Sequence, residues 1–161
     1  MITMSINWTD FLCRLKEYPK GTHRILPPCT EDRIQAIQAE FGPMPNELLS
    51  MLAHFNGAKL FKKTLPLISI FGISSLPPLS PLAWSPQWHI DKYTQEWRST
   101  GRDRREWAIA INNYGVLSLL ESNNMVKEWD TGRAAWTGEI LNFKEWLAVL
   151  FEEGDKYLAE T

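Results

Sequence analysis

Residues 107–130 read WAIAINNYGVLSLLESNNMVKEWD, and this stretch decides the fold. Trp107, Ile109 and Ile111 alternate with Ala108 and Ala110, the two-residue period of a strand with one face turned inward. Residues 112–115, Asn-Asn-Tyr-Gly, are turn chemistry, because Asn and Gly accept backbone conformations that other residues resist. Residues 116–120 make a second strand, residues 121–124 turn again, and residues 125–129 make a third. An antiparallel meander is therefore expected, closed by residues 130–132.

Helical signals flank it on both sides. Asn142 is placed to cap a last helix, with Glu145 three residues on as in a capping box. Phe143, Trp146, Leu147, Leu150 and Phe151 fall on one face, and Gly154 is read as the stop. Upstream, residues 67–71 predict a strand that Gly72 ends, with Pro66 marking its start or an edge. Thr30 precedes Glu31 and Asp32, a capping residue followed by anions that favour a helix N-terminus. Ile34, Ile37 and Phe41 then share a face, and Gly42-Pro43 ends that helix. Pro45 opens another, lined by Leu48, Leu49, Leu52 and Phe55, with Asn56-Gly57 read as its cap. Residues 30–57 thus predict a helical hairpin. A first helix is expected at about residues 6–17, where Trp8, Phe11, Leu12 and Leu15 line up before Pro19 and Gly21. Residues 25–29 read as turn. Residues 74–86, with four prolines and four serines, read as an extended surface loop. Residues 87–106 give no clear element.

The composition excludes several classes of function. A chain of 161 residues, 44% apolar and 22% charged, fits one folded domain. A net charge of −2 gives no mean field to draw in nucleic acid or an anionic membrane. No apolar run approaches the 18 or so residues of a membrane span, and residues 1–10 have no leader pattern, so a cytoplasmic location is expected. Cys13 and Cys29 form no metal-ligand spacing. His23, His54 and His89 stand apart and outside any HExxH pattern. Nucleophile-elbow and phosphate-loop glycine patterns are missing too. No catalytic residue, metal ligand or cofactor site is expected.

One segment has the composition of a binding surface. Trp84, Trp88 and Trp97 lie with Arg98, Arg102, Arg104 and Arg105 within residues 84–107. Trp and Arg dominate interface hot spots, Trp through large stiff area and Arg through planar paired hydrogen bonds. Two readings of this segment stand. It shapes a partner surface, or two of the tryptophans fill the core under a loop and the arginines are merely solvated. The Pro78-x-x-Pro81 spacing reads as a stiff loop in preference to a peptide-recognition motif.

The order of these elements resembles the SUKH superfamily, which includes fungal cell-wall assembly regulators with an SMI-type domain and bacterial toxin-immunity proteins. The resemblance lies in the acidic-start helix from Thr30 to Gly42, the Met44-Pro45 step, the Leu-rich helix and Asn56-Gly57. It continues in Ile68-Ser-Ile-Phe-Gly72, in the run from Trp107 to Gly115, in Trp129-Asp130 and in Asn142-Phe143-Lys-Glu-Trp146-Leu147. Met44 stands where Leu is usual, and residues 74–106 do not align with the family pattern. The resemblance covers about residues 30–151 of a single domain at 1–161. It implies an α+β fold, with a central mixed, largely antiparallel sheet packed by an N-terminal helical hairpin and a C-terminal helix. It also implies a protein-binding role, most often neutralisation of a toxin domain such as a nuclease or deaminase, and otherwise scaffolding in cell-envelope processes.

Overall fold

The computed structural model describes residues 5–74, 89–102 and 105–160. Its elements run α1 (Trp8–Leu15), β1 (Arg24–Ile25), α2 (Glu31–Phe41), α3 (Asn46–His54), β2 (Ala58–Lys62), β3 (Pro66–Ile70), α4 (Ile90–Ser99), β4 (Trp107–Asn112), β5 (Val116–Leu120), β6 (Met125–Asp130), β7 (Ala135–Asn142) and α5 (Phe143–Ala159). The fold is α+β. Its seven strands pair in chain order, β1 through β7, and every neighbouring pair is antiparallel. The parallel element expected of a mixed sheet is reduced to an isolated bridge between Gly72 and His89.

The meander at 107–130 is present, with Trp107 opposite Leu120 and Leu117 opposite Trp129. Three strands lie outside the sequence expectation: β1, which overlaps the stretch read as turn at Ile25, β2 and β7. The segment 87–106, left without an element, contains α4. The first helix is shorter than expected because the Asn7 side chain accepts the Asp10 amide at 3.0 Å and so starts it at Trp8.

The core is aromatic at its centre. Trp8 meets Phe11, Phe55 and Phe143 edge to face, and Phe11 stacks on Phe55 and meets Phe151. These rings come from α1, α5 and the residue that follows α3. Each contributes roughly 1.5–3 kcal/mol through burial and each ring pair about 0.5–1.5 kcal/mol more. The Asn142–Glu145 capping box forms, with bonds of 2.8 and 3.2 Å. α5 then reaches from β6 and β7 to β2. Its 17 residues span about 25 Å, close to the width of the five strand spacings from β7 to β2 at roughly 4.8 Å each.

Two glycine readings change. Gly154 does not stop α5, which continues to Ala159. It is buried because the Phe61 ring lies against it, and a Cβ there would sit 2.5 Å from three ring carbons. Nor does Asn56-Gly57 cap α3. The helix ends at His54, and Phe55 already has extended backbone at φ −159°. Asn56 instead forms a tertiary clip. Its amide nitrogen donates to the Ile73 carbonyl at 2.9 Å and its oxygen accepts the Ile73 amide at 2.7 Å. Gly57 and Gly72 permit the approach. A Cβ on Gly57 would lie 2.7 Å from the Gly72 nitrogen, and one on Gly72 would overlap the Asn56 carbonyl. The clip binds the end of α3 to the chain leaving β3. Arg33 of α2 extends it, donating to the Ser74 carbonyl at 2.7 Å and the Ser74 hydroxyl at 3.0 Å, while Ser74 donates to Asp91 of α4.

Candidate partner-binding surface

The residues singled out at 84–107 fall into three groups. Trp84, Trp88 and Arg104 lie outside the described residues. Arg98 is a clamp inside the fold. It donates to the Phe41 carbonyl at 2.6 Å and to the Glu106 carbonyl at 3.3 Å, and its guanidinium lies 4.7 Å from the Trp107 ring centre. Those bonds hold the end of α2 to α4 and to the start of β4. Trp97 and Arg102 lie against Trp129 of β6, and Arg105 lies by the turn between β5 and β6.

Local sequence explains how Trp97 reaches it. Ile90, Thr94 and Trp97 form the inward stripe of α4. The buried Thr94 hydroxyl accepts the Ala108 amide at 3.0 Å and fixes the helix over β4. Trp97, one turn on, is 7% exposed and meets two further tryptophans. Trp97 to Trp129 is 5.5 Å, Trp97 to Trp136 is 5.6 Å and Trp129 to Trp136 is 5.1 Å, all edge to face. Trp129 and Trp136 are direct cross-strand partners on β6 and β7, as are Lys127 and Ile140. The four side chains therefore share one face of the sheet.

Charge is organised around this triangle. The Glu106 carboxylate, 3% exposed, accepts the Trp97 indole N–H at 3.2 Å and meets the Lys127 ammonium at 2.9 Å. Lys127 also contacts Glu121 at 2.9 Å and lies 4.6 Å from the Trp136 ring centre. Burial alone would push the Lys127 pKa down, but the bonds to Glu121 and Glu106 outweigh it and the net displacement is upward. Lys127 is thus fixed as the counter-ion of two carboxylates. Arg102 is held differently. Its guanidinium lies 4.3 Å from the Trp129 ring centre and 5.0 Å from that of Trp97. Its Nε is buried without a hydrogen-bond partner, and it makes no carboxylate contact among the described residues. Arg105 lines a polar cleft of about 140 Å3 with Glu106, Glu121, Ser122 and Asn123.

β7 is the feature that sequence reasoning missed. It is the last strand of the sheet, paired on one side to β6 and on its other side to no described strand. Residues 137–139 stand opposite the single residue Glu128, a bulge that Gly138 permits with φ +93°. Burial first, and then the nearby Glu139 charge, raises the Glu128 pKa. Trp136 is 40% exposed and Ile140 is 56% exposed. With Lys127, Gly138 and Glu139 they line a shallow, mostly apolar depression of about 270 Å3. Its sequence signal was the Asp130 turn, where the side chain accepts the Gly132 and Arg133 amides at 3.0 and 3.1 Å and starts the return strand.

Among the described residues no group of three or more His, Cys, Asp or Glu is placed to hold a metal ion, and no helix is long and apolar enough to cross a membrane. No protein-family model matches the chain, and no curated protein matches it in sequence.

Proposed function

We propose that this chain is a protein-binding module of the SUKH kind, an immunity protein that neutralises a toxin domain by covering its working surface. The observation that carries the reading is the exposed pair Trp136 and Ile140 on a strand edge that pairs with no described strand, backed by a triangle of packed tryptophans. A stiff aromatic anchor loses little entropy on binding, which is why such residues dominate interface energies. The Glu106–Lys127–Glu121 bridge keeps that anchor in one arrangement. The depressions beside it are small and shallow, which suits contact with a protein surface better than enclosure of a substrate. The order of elements from Thr30 to Phe151 supports the family assignment on the grounds given above.

The test is protection in cells. Nuclease and deaminase toxin domains, the classes the resemblance implies, are each expressed with and without this chain, and survival is scored. Protection by the native chain that is lost in Trp136→Ala/Ile140→Ser, with the variant still folded by circular dichroism, is the expected result. Survival that does not depend on the native chain would refute the immunity reading.

A further inference from the structure

We infer that the β7 edge receives an extended, acidic segment of a partner protein as an added strand, with a partner carboxylate on Arg102. This rests on the partner-binding reading and names the chemistry of its site. Three observations converge on it. First, β7 offers eight residues of backbone whose outer side pairs with no described strand, the arrangement that strand addition requires. Second, Trp136 and Ile140 project from one face of that strand and are both exposed, so an added strand would find two apolar contacts four residues apart.

Third, the charges are unequal. Of the cations on this face, Lys127 is already held by Glu106 and Glu121. Among the described residues Arg102 contacts ring faces and no carboxylate, and its Nε is buried with no acceptor. A guanidinium stacked on two indoles is oriented in advance and poorly hydrated, the state in which it binds carboxylate best. It lies against Trp129, which contacts Trp136, so one ring separates this charge from the start of β7. Glu139 carries the opposite charge towards the other end. The polarity is thus set. The partner's acidic residue belongs beside Trp136, and an apolar residue belongs over Ile140.

The experiment uses the full chain, labelled with 15N, and synthetic eight-residue capped peptides of alternating valine and threonine. One carries two glutamates at one end, one carries lysines there, and one repeats the acidic sequence with alternate backbone amides N-methylated. Amide shifts over residues 135–142 and indole N–H shifts of Trp97, Trp129 and Trp136 are followed on titration. The expected result is binding of the acidic peptide at the β7 amides, at least about ten-fold tighter than the lysine peptide, and its loss on N-methylation. Arg102→Gln should retain the β7 shifts of the lysine peptide and abolish the preference for acid. Equal binding of acidic and basic peptides, unchanged binding of the N-methylated one, or shifts that bypass β7 would each overturn the inference. So would a single-stranded oligothymidylate that binds the same residues more tightly than the acidic peptide. A protein partner that binds Arg102→Gln as tightly as the native chain would overturn this inference while leaving the partner-binding reading in place.

Discussion

Asn56→Asp exchanges one atom group in the clip and should make stability depend on pH in a way the native clip does not. In the native chain the Asn56 side chain pairs both ways with the backbone of Ile73, at 2.9 and 2.7 Å, and Ile73 is 2% exposed. A carboxylate at position 56 still accepts the Ile73 amide but no longer donates to the Ile73 carbonyl. That carbonyl is left facing a negative oxygen. The loss of one partly buried bond and the unsatisfied acceptor together cost roughly 2–4 kcal/mol at neutral pH. Protonation restores a donor, so the folded state raises the pKa of the new carboxyl above its unfolded value near 4. For an acid with a raised folded pKa, the protonated form is the stable one. The penalty is therefore small below the unfolded pKa and grows as pH rises through the folded one. At about 1.4 kcal/mol for each pH unit of displacement, a 3 kcal/mol penalty develops over about two pH units. Urea unfolding of native and variant chains at pH 4, 5, 6 and 7 measures it, and subtracting the two removes every titration they share. A difference that stays flat across that range, or a variant as stable as the native chain at pH 7, would refute the role given to the clip.

Other outcomes follow from the same reasoning. His23 accepts the Phe61 amide at 3.0 Å through Nδ1, and burial holds its pKa down at about 4. The unfolded chain takes up a proton near pH 6.5 that the folded chain refuses, so stability should fall by about 1–2 kcal/mol, after allowance for solvent screening, between about pH 6.5 and 4. His23→Gln should flatten that part of the native profile in denaturant titrations. Gly154→Ala should destabilise by about 1–2 kcal/mol despite better helix propensity, because its Cβ meets the Phe61 ring. Phe61→Leu should recover part of the loss when the two are combined in a thermal melt. Glu106→Ala should cost about 2 kcal/mol and move the Trp97 indole N–H signal in an NMR spectrum, since its acceptor is removed.

The elements that were legible share a cause. β4 and β5 lie at the centre of the sheet, and most of their side chains are buried, so burial wrote the pattern into the residues. α2, α3 and α5 have caps or proline steps that mark their starts. The unread elements lack such pressure. β7 is exposed along nearly its whole length, so no alternation was imposed on it, and Gly138 interrupts it. β2 carries lysines at both Lys59 and Lys62 and turns at Phe61 with φ +56°. α4 has a buried threonine in the middle of its stripe, placed there to accept a backbone amide, and the polar residue hid the helix. Gly154 and Asn56-Gly57 misled for one reason. Glycine at a close contact between elements looks, in one dimension, like glycine at a helix end. The site was half legible. Trp97 and Arg102 stood out by type, whereas Trp129 and Trp136 join them only through the register of β6 on β7 and its bulge.

The two edges of the sheet differ in a way that favours β7 as the surface for association. An open edge invites unwanted pairing, and chains usually suppress it with short strands, charge or bulges. β1 follows that rule. It is two residues long and begins with Arg24. β7 is four times as long, carries Glu139 as its one charge, and displays a tryptophan and an isoleucine on the same face. Had solubility been the sole constraint, a polar residue at 136 or 140 would meet it at little cost to a fold whose core lies elsewhere. What the strand retains is a bulge, which bends the edge away from a flat repeat, beside apolar residues that would reward a partner shaped to that bend. The bulge restricts which strands can pair and the aromatic pair strengthens the one that fits, a division between specificity and affinity that a merely neglected edge would not need.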